Sequence, residues 1–263
     1  MNTHATAIST ENLHFSYNGP QQPVLRGLSL DIPAGSLTAI LGPNGSGKTT
    51  LLRVLLGFLR PSAGTVRVAG RPLGDYTRRE MGRLMALVPQ SEPIPFNFSA
   101  LEYVLLGRTP YLGALESPGP ADRQVALEAL RAMGAEALRE RAVAALSGGE
   151  QQLVILARAM AQQPQVLLMD EPMAHLDLGN QGRIVSIMRQ MAAAGVTVVF
   201  TTHDPNAAAA VASYVVMMRR GEVLTAAPTA RAMTAANLSE TYGVAVEVLH
   251  AGERSLICLR EEA

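Results

Sequence analysis

The stretch LGPNGSGKTT, residues 41–50, decides the fold of this chain. It matches the spacing G-x-x-x-x-G-K-[ST], in which a glycine-rich turn directs backbone N–H groups at phosphates and leads into a helix. The flanks agree, because a short β-rich run (SLTAIL, 36–41) precedes the turn and helically spaced apolar residues (49–59) follow it. The alternative, a glycine-rich surface turn, requires neither flank. We expect phosphates to be held by Gly42, Pro43, Asn44, Gly45, Ser46, Gly47, Lys48, Thr49 and Thr50.

The sequence contains 22 lysine and arginine residues in total, and Lys48 is the only lysine among them. All the others are arginines. A preference for arginine of this strength indicates that lysine was kept only where a guanidinium does not serve. An ammonium group is a compact point charge, whereas a guanidinium is a wide planar fork. We therefore expect Lys48 to lie in a tight loop around phosphates, where only the smaller group fits.

Length and composition exclude several classes of protein. A chain of 263 residues can form one large domain or two small ones. A net charge of +0 argues against a nucleic-acid partner. A single cysteine, Cys258, excludes an internal disulfide framework and fits a reducing compartment. The start lacks the pattern of a signal peptide, and the longest apolar stretch, 207–218, is too short to span a bilayer. We expect a cytoplasmic chain that can dock on a membrane protein.

The pattern of apolar residues along the chain predicts an α/β fold. Strands are predicted at 8–15, 25–32, 36–41, 64–69, 84–88, 165–170, 196–203 and 214–220. Helices are predicted through 99–162 and at 180–193 and 205–212, and a Pro- and Gly-rich loop at 110–123. Buried strands that alternate with helices indicate a largely parallel sheet, here interrupted by a helical insert.

Two carboxylates end the predicted buried strand QVLLMDEP, 165–172. Asp170 and Glu171 are costly to place at the edge of a core without partners. In a protein with a phosphate-binding loop, an acid at a neighbouring strand tip holds the Mg²⁺ shell. Asp170 fits that role, and Glu171 would orient or deprotonate the attacking water. The alternative is a pair of acids that stabilise a helix N-terminus.

A second candidate anion site lies at the start of ALSGGEQQLVILARAMAQQP, 145–164. Ser147 and two glycines, Gly148 and Gly149, precede a long run with helical apolar spacing. A serine-capped helix start of this kind can bind an anion. An ordinary serine-capped helix explains the same residues.

Taken together, these motifs resemble the ATP-binding subunit of ABC transporters, from about residue 7 to residue 243. The match comprises the phosphate loop, the family's signature motif LSGGE (146–150), the Asp170-Glu171 strand, HLD (175–177) and the histidine that closes VVFTTH, His203. The resemblance implies a P-loop NTPase core with a mixed, largely parallel sheet, an antiparallel β subdomain and an inserted helical subdomain. It implies a nucleotide-binding core at 1–90 and 164–263 and a helical signature subdomain at 91–163, together one ATPase domain.

The resemblance also implies roles for further residues. Tyr17 would stack on the adenine, unless it is an aromatic packed in the core. Gln90 would join the Mg²⁺ shell formed by Thr49 and Asp170 and link the nucleotide state to a transmembrane partner, unless it is an ordinary exposed loop residue. His203 would contact the γ-phosphate, although a lone histidine at the end of a strand is more often a hydrogen-bonded residue at the edge of the core. Asp177 would lie in the loop that crosses to a second subunit.

The family architecture implies that the ATPase subunits form a homodimer with two shared sites. The phosphate loop of one chain would face LSGGE of the other, so that Ser147 and the amides of residues 148–149 contact ATP across the interface. The partners implied are two transmembrane permease subunits and, at the level of the complex, a substrate-binding protein. The chain would lie peripherally on the cytoplasmic face of the membrane.

The segment FNFSALEYVLLGRTPYLG, 96–113, indicates the subgroup. Its GR-x-P resembles importers of metal chelates such as siderophores, haem and cobalamin, and some relatives carry metal oxyanions. Residues 176–181 and LSETYGV (238–244) resemble the same subgroup. Two residues depart from the family pattern. Met173 stands where the family usually has threonine, and Leu153 stands near a position where an arginine is common. The alternatives are an importer ATPase for another small solute, a soluble ABC ATPase without transport and a non-enzymatic interaction module, which the intact catalytic motifs disfavour.

Overall fold

A computed structural model describes residues 5–19, 21–90, 92, 94, 96–174, 176–252 and 254–260. Its strands are β1 (Thr6–Phe15), β2 (Leu25–Pro33), β3 (Leu37–Leu41), β4 (Ala63–Val68), β5 (Arg71–Pro72), β6 (Met85–Val88), β7 (Val166–Met169), β8 (Thr197–Thr202), β9 (Tyr214–Arg219), β10 (Glu222–Pro228), β11 (Val246–Ala251) and β12 (Arg254–Leu259). Its α-helices are α1 (Lys48–Leu55), α2 (Arg78–Leu84), α3 (Ala100–Leu105), α4 (Pro120–Ala132), α5 (Gly148–Ala161), α6 (Leu178–Ala193), α7 (Pro205–Val211), α8 (Thr229–Ala232) and α9 (Ala235–Tyr242).

The chain forms two compact units, 1–75 with 191–263 and 76–190. The subdomain boundaries expected from the sequence, after residue 90 and after residue 163, stay a prediction. None of the helices that the structure describes has both the length and the hydropathy needed to cross a bilayer.

The first unit contains an antiparallel sheet in the order β2-β1-β4-β5 and neighbouring strands in the order β10-β9-β3-β8. Strand β3 runs parallel to both β8 and β9, and β10 pairs antiparallel with β9. Every residue of β3 and β8 is buried, the pattern of parallel strands that are covered on both faces. The hairpin β11–β12 completes this unit, so the antiparallel β part and the largely parallel sheet of the sequence interpretation are both present.

The second unit combines the parallel pair β6–β7 with helices α3, α4 and α5. The interior positions of α5 carry its apolar side chains; Leu153, Val154, Leu156 and Ala157 are buried. The departure Leu153 is thus a core residue of this helix. In the family pattern an arginine is common near this position, and here the side chain contributes to packing.

The predicted strands lie within about two residues of the observed ones, but two expectations were wrong in detail. Helix α1 ends at Leu55, earlier than predicted, because Gly57 adopts φ +73° and Phe58 N–H closes back on Arg53 O at 2.9 Å. The predicted loop 110–123 is shorter, since α4 begins at Pro120, a residue suited to a first helical turn. Strands β5 and β10 and helices α2 and α8 were not predicted.

Candidate functional site

The phosphate loop and His203 leave the same edge of two adjacent parallel strands. Leu41 at the end of β3 pairs with Thr202 at the end of β8. Gly42, the first residue of the loop, donates its N–H to Thr202 O at 3.4 Å, and His203 follows directly. Ligands of open α/β sheets bind at the carboxyl ends of the strands. Within the first unit, the fold therefore brings two of the predicted site elements together.

The glycines of the loop are required by its geometry. Gly45 and Gly47 adopt φ of +78° and +100°, the left-handed region that side chains rarely tolerate. A Cβ on Gly42 would overlap Met218 O. The backbone can therefore pass close to β9 and turn tightly into α1, which begins at Lys48. The resulting concave turn at a helix N-terminus is the geometry that binds phosphate.

Lys48 and Ser46 show how the loop fits an anionic ligand. The side chain of Lys48 is held against the loop, with Nζ donating to Gly42 O at 2.7 Å and to Pro43 O at 3.2 Å, and the residue is only 6% exposed. Ser46 Oγ is buried and has no hydrogen-bond partner within the described part of the protein. A buried hydroxyl without a partner is uncommon and fits a site whose remaining acceptor or donor comes from a ligand.

Tyr17 lies at the surface beside the first turn of α1. It is 51% exposed, so it does not fill the core. Its ring packs edge-on against Phe15, with centroids 4.9 Å apart, and its Oη lies 3.3 Å from Thr50 Oγ1. This pair of contacts fixes the position of the ring relative to the phosphate loop and leaves aromatic surface exposed for stacking. Thr49, the residue between Lys48 and Thr50, is exposed.

In the second unit, Gln90 and Asp170 follow the ends of the parallel strands β6 and β7. Val88 pairs with Met169, and the N–H of Asp170 donates to Val88 O at 2.8 Å. Asp170 is 7% exposed, whereas Gln90, two residues beyond Val88, is exposed. The two predicted Mg²⁺ ligands of this unit therefore lie at one edge of the same strand pair.

Glu171 has an unusual backbone conformation. Its φ is +46°, in the left-handed region that is uncommon for residues other than glycine. The following turn is closed by Ala174 N–H, which donates to Glu171 O at 3.1 Å. Backbone strain of this kind clusters at functional sites, where the surrounding structure holds a side chain in a required direction.

Ser147 caps α5 through a reciprocal pair of contacts with Glu150. The N–H of Glu150 donates to Ser147 Oγ at 3.4 Å, and the N–H and Oγ of Ser147 both donate to Glu150 Oε2 at 2.8 Å. Arg141 donates to the other carboxylate oxygen of Glu150 at 3.1 Å. Hydrogen bonds from the Ser147 backbone and then from its side chain hold the pKa of Glu150 below its ordinary value. The serine hydroxyl is thus already occupied within its own chain.

The start of α5 lies next to the start of α6. A Cβ on Gly149 would approach Asn180 Nδ2 to 2.5 Å, whereas a Cβ on Gly148 would meet no atom within 4 Å. Asp177 caps α6: both the N–H and Nδ2 of Asn180 donate to its carboxylate at 2.8 Å, and these bonds lower the pKa of Asp177. Gly149 of the LSGGE motif therefore lies beside Asn180, the residue that Asp177 holds. His175, in the HLD motif, lies outside the described residues.

Comparison with known proteins identifies the family. A family model described as ABC transporter matches residues 25–174. The chain belongs to the ABC transporter family. It is 36% identical to an iron chelatin transport ATP-binding protein of Helicobacter pylori, over 92% of this chain and 95% of that protein.

Solved structures of this family have the same fold. One, described as a metal-chelate type ABC transporter in an inward-facing conformation, superposes with a TM-score of 0.85 at 32% identity and covers 98% of each chain. Another, the dimeric structure of a bacterial ABC transporter cassette, has a TM-score of 0.74 at 30% identity, over 84% of this chain and 98% of that one. The ABC ATPase fold expected from the sequence is confirmed, and the chain is an ATP-binding ATPase of this family.

The structure also reveals a buried charged residue to which the sequence interpretation gave no role. Arg108, 7% exposed, donates from Nη1 to Ala161 O at 2.8 Å and pairs through Nε with Asp122 at 3.0 Å. Its guanidinium also stacks on the Tyr111 ring, 3.8 Å from the centroid. Arg108 thus ties GRTPY to the end of α5 and the start of α4. The GR-x-P motif was visible in the sequence, but the partners of Arg108, which lie up to 55 residues away, were not.

Proposed function

We propose that the chain is the ATP-hydrolysing subunit of an importer for iron or another metal chelate, such as a siderophore, haem or cobalamin. The observation that carries this proposal is the likeness to a metal-chelate type transporter over 98% of both chains. The GRTP segment, with its buried Arg108, supports the same subgroup. No nucleic-acid partner is proposed, since the net charge is +0.

In this proposal the first unit binds ATP. Residues Gly42 to Thr50 surround the phosphates, with backbone amides and the Lys48 ammonium as donors, and Ser46 Oγ gains the partner that it lacks. Lys48 exchanges the loop carbonyls for phosphate oxygens. Tyr17 stacks on the adenine, which its exposure permits. His203 contacts the γ-phosphate.

Hydrolysis is assigned to the residues that follow the strands. Thr49, Gln90 and Asp170 are the oxygen ligands proposed for Mg²⁺, a cation that prefers carboxylate, hydroxyl and phosphate oxygens. When bound, Mg²⁺ neutralises charge that develops on the phosphates. Glu171 orients the attacking water and accepts its proton, and its left-handed backbone would fix the direction of the carboxylate.

The signature residues are proposed to act on ATP held by a second copy of the chain. Ser147, Gly148 and Gly149 would donate to the γ-phosphate across the dimer interface, and Asp177 would lie in the segment that crosses to the partner. Support comes from the exposed position of Ser147 and from the open space beside Gly148. Loss of the γ-phosphate on hydrolysis would remove these contacts and let the halves separate.

The surface of 96–113 is proposed to receive the coupling helix of a permease subunit, in a complex that contains two permease subunits. Two large apolar side chains of this segment are exposed, Phe96 at 64% and Leu106 at 43%, and they are the contacts proposed for the permease. Arg108, which is buried beneath this segment, would hold it in place through its contacts with α4 and α5. The complex would place the chain on the cytoplasmic face of the membrane and would include a substrate-binding protein. The same apolar surface favours a transporter over a soluble ABC ATPase.

Replacement of Glu171 by glutamine tests the catalytic assignment. Glu171→Gln should bind ATP normally and should trap a closed dimer, while turnover falls by about 100- to 10,000-fold because the water loses its orienting base. Equilibrium binding of ATP and steady-state phosphate release measure the two effects. Turnover of Glu171→Gln near the wild-type rate would refute the assigned base.

Transport by the reconstituted complex tests the cargo. The complex is reconstituted in liposomes with the permeases and the binding protein that neighbouring genes encode. ATP-dependent uptake of a ferric siderophore, haem or cobalamin should then exceed uptake of molybdate. The Glu171→Gln complex is the matched control, because it should bind ATP without sustained uptake. A complex that moves only the oxyanion, or an unrelated solute, would contradict the metal-chelate assignment while leaving the ATPase assignment intact.

A further inference from the structure

The segment after β8 is tied to the C-terminal part of the chain by side-chain hydrogen bonds. Tyr242, the last residue of α9, donates its hydroxyl to the backbone oxygen of His203 at 2.7 Å. Asn206, in the first turn of α7, exchanges two bonds with the backbone of Ile257 in β12, at 2.8 and 3.1 Å. These contacts join residues 39 and 51 positions apart, so they are long-range constraints on a short segment.

Tyr242 is itself held firmly. Its helix α9 stops at Gly243, which adopts φ +73°, and the neighbouring Thr241 is completely buried. Arg219 at the end of β9 donates to Glu240 O at 2.6 Å, which ties the last turn of α9 to the sheet. The phenol of Tyr242 therefore extends from a fixed support and not from a mobile tail.

The backbone on either side of His203 is also fixed. Thr202 accepts the N–H of Gly42 from the phosphate loop at 3.4 Å, and its hydroxyl accepts the N–H of Asp204 at 3.1 Å. These bonds hold the residues before and after His203. The bond from Tyr242 acts on the carbonyl of His203 itself, and the orientation of that peptide helps to set the direction in which the side chain leaves the backbone.

We propose that Tyr242 is a positioning residue for His203. By holding the His203 carbonyl, the phenol fixes the histidine in the orientation that contacts the γ-phosphate, and the Asn206–Ile257 pair anchors the same segment from its other end. This inference rests on the γ-phosphate role proposed for His203. It assigns a part in ATP hydrolysis to the C-terminal helix and hairpin, which follow the family-matched region 25–174.

The chemistry of the phenol suits a permanent tether. Burial, with a smaller contribution from Asp204, raises the pKa of Tyr242 above its ordinary value. The hydroxyl therefore keeps its proton, and remains a donor to the carbonyl, throughout the physiological range. The tether is thus a constant element of the site and not a pH switch.

Tyr242→Phe in the 263-residue chain removes the hydroxyl and keeps the ring. We expect kcat for ATP hydrolysis to fall roughly threefold to tenfold, the range for loss of one ordinary hydrogen bond that acts on the transition state. ATP affinity and KM should stay unchanged, because the phosphate loop and Tyr17 are untouched. Tyr214→Phe is the matched control: it removes a half-buried phenol hydroxyl from the start of β9, where Tyr214 pairs with Thr38, at the opposite end of the strands from His203, and should leave kcat unchanged.

A double-mutant cycle separates positioning from a general structural role. If Tyr242 acts through His203, Tyr242→Phe should cause no further loss in a His203→Ala background, measured by single-turnover hydrolysis. Equal fractional losses in both backgrounds, or unchanged kcat in Tyr242→Phe, would overturn the assignment. If the wild-type protein hydrolyses no ATP, the proposed function fails as well; if the wild type is active and Tyr242→Phe is equally active, only the Tyr242 assignment fails.

Discussion

Helices α1 and α5 both begin at a glycine-rich turn predicted to face phosphate, yet they begin in opposite ways. Helix α1 follows Gly47, which has no side chain to cap it and which adopts φ +100°. Helix α5 follows Ser147, whose side chain caps the helix and is held in return by Glu150. Lys48 is nearly buried in its own loop, whereas Ser147 is exposed.

This difference indicates that the two helix starts have different roles. The start of α1 offers backbone amides and a buried ammonium, so it can bind phosphate within one chain. The start of α5 already satisfies its cap internally, so an incoming phosphate must compete with Glu150 for the Ser147 hydroxyl. A helix start that is complete without ligand suits an element brought against a nucleotide from outside. We therefore interpret α1 as the binding element and α5 as the closing element.

The largest expected effect comes from Ser147→Arg. A bulky side chain on the exposed start of α5 should block closure and abolish hydrolysis, while ATP binding to the isolated monomer is retained because Lys48, Thr49 and Tyr17 are unchanged. Titration of the monomer with ATP measures binding, and steady-state hydrolysis by the dimer measures turnover. Loss of binding in the monomer would place the signature in the same chain's site and remove the distinction between the two helix starts.

Lys48→Arg should weaken ATP binding roughly 10- to 100-fold, nearly as much as Lys48→Ala, the scale of a lost charged hydrogen bond. The physical reason is space: Nζ lies 2.7 Å from Gly42 O within the loop, and a planar fork does not fit there. Arg53→Lys, on the exposed side of the same helix, is the converse exchange and should have no effect. Normal affinity of Lys48→Arg would mean that the single lysine has no functional cause.

Alanine at the two signature glycines separates contact with a partner from packing within the chain. Gly148→Ala should leave the thermal midpoint unchanged, since its Cβ meets nothing within 4 Å, but should lower turnover roughly tenfold if a partner closes there. Gly149→Ala should destabilise the monomer by about 1–3 kcal/mol, because its Cβ would press on Asn180. Full activity of Gly148→Ala would argue that nothing closes on this face.

The smallest effect concerns stability. Ser147→Ala should cost about 1 kcal/mol of unfolding free energy through loss of the cap, and Ser99→Ala should cost the same. Ser99 caps α3 through Glu102 with nearly identical distances, 2.8, 2.8 and 3.3 Å, so it is a close match. Only Ser147→Ala should also reduce ATP turnover of the isolated chain. Equal turnover in the two variants would mean that Ser147 acts only as a helix cap.

Elements with strong local signals were predictable, and long-range contacts were not. The strand, glycine turn and helix around Lys48 carry their pattern within about 20 residues, and the same holds for Ser147 with Glu150. In contrast, the partner of Tyr242 lies 39 residues away and that of Asn206 lies 51 away, so neither contact leaves a local pattern. The left-handed backbone of Glu171 was also unpredictable, because a positive φ is uncommon for residues other than glycine.

Heterodimers with lesions distributed in two ways test the shared nucleotide site most directly. In the first, one chain carries Lys48→Ala and the other carries Ser147→Arg; in the second, one chain carries both changes and the other is wild type. If each site combines Lys48 of one chain with Ser147 of its partner, the first heterodimer keeps one intact site and hydrolyses ATP, whereas the second has a lesion in both sites and is inactive. Two different affinity tags allow each heterodimer to be purified free of homodimers. Activity in the second heterodimer and none in the first would place both residues in a site formed by a single chain and contradict the account.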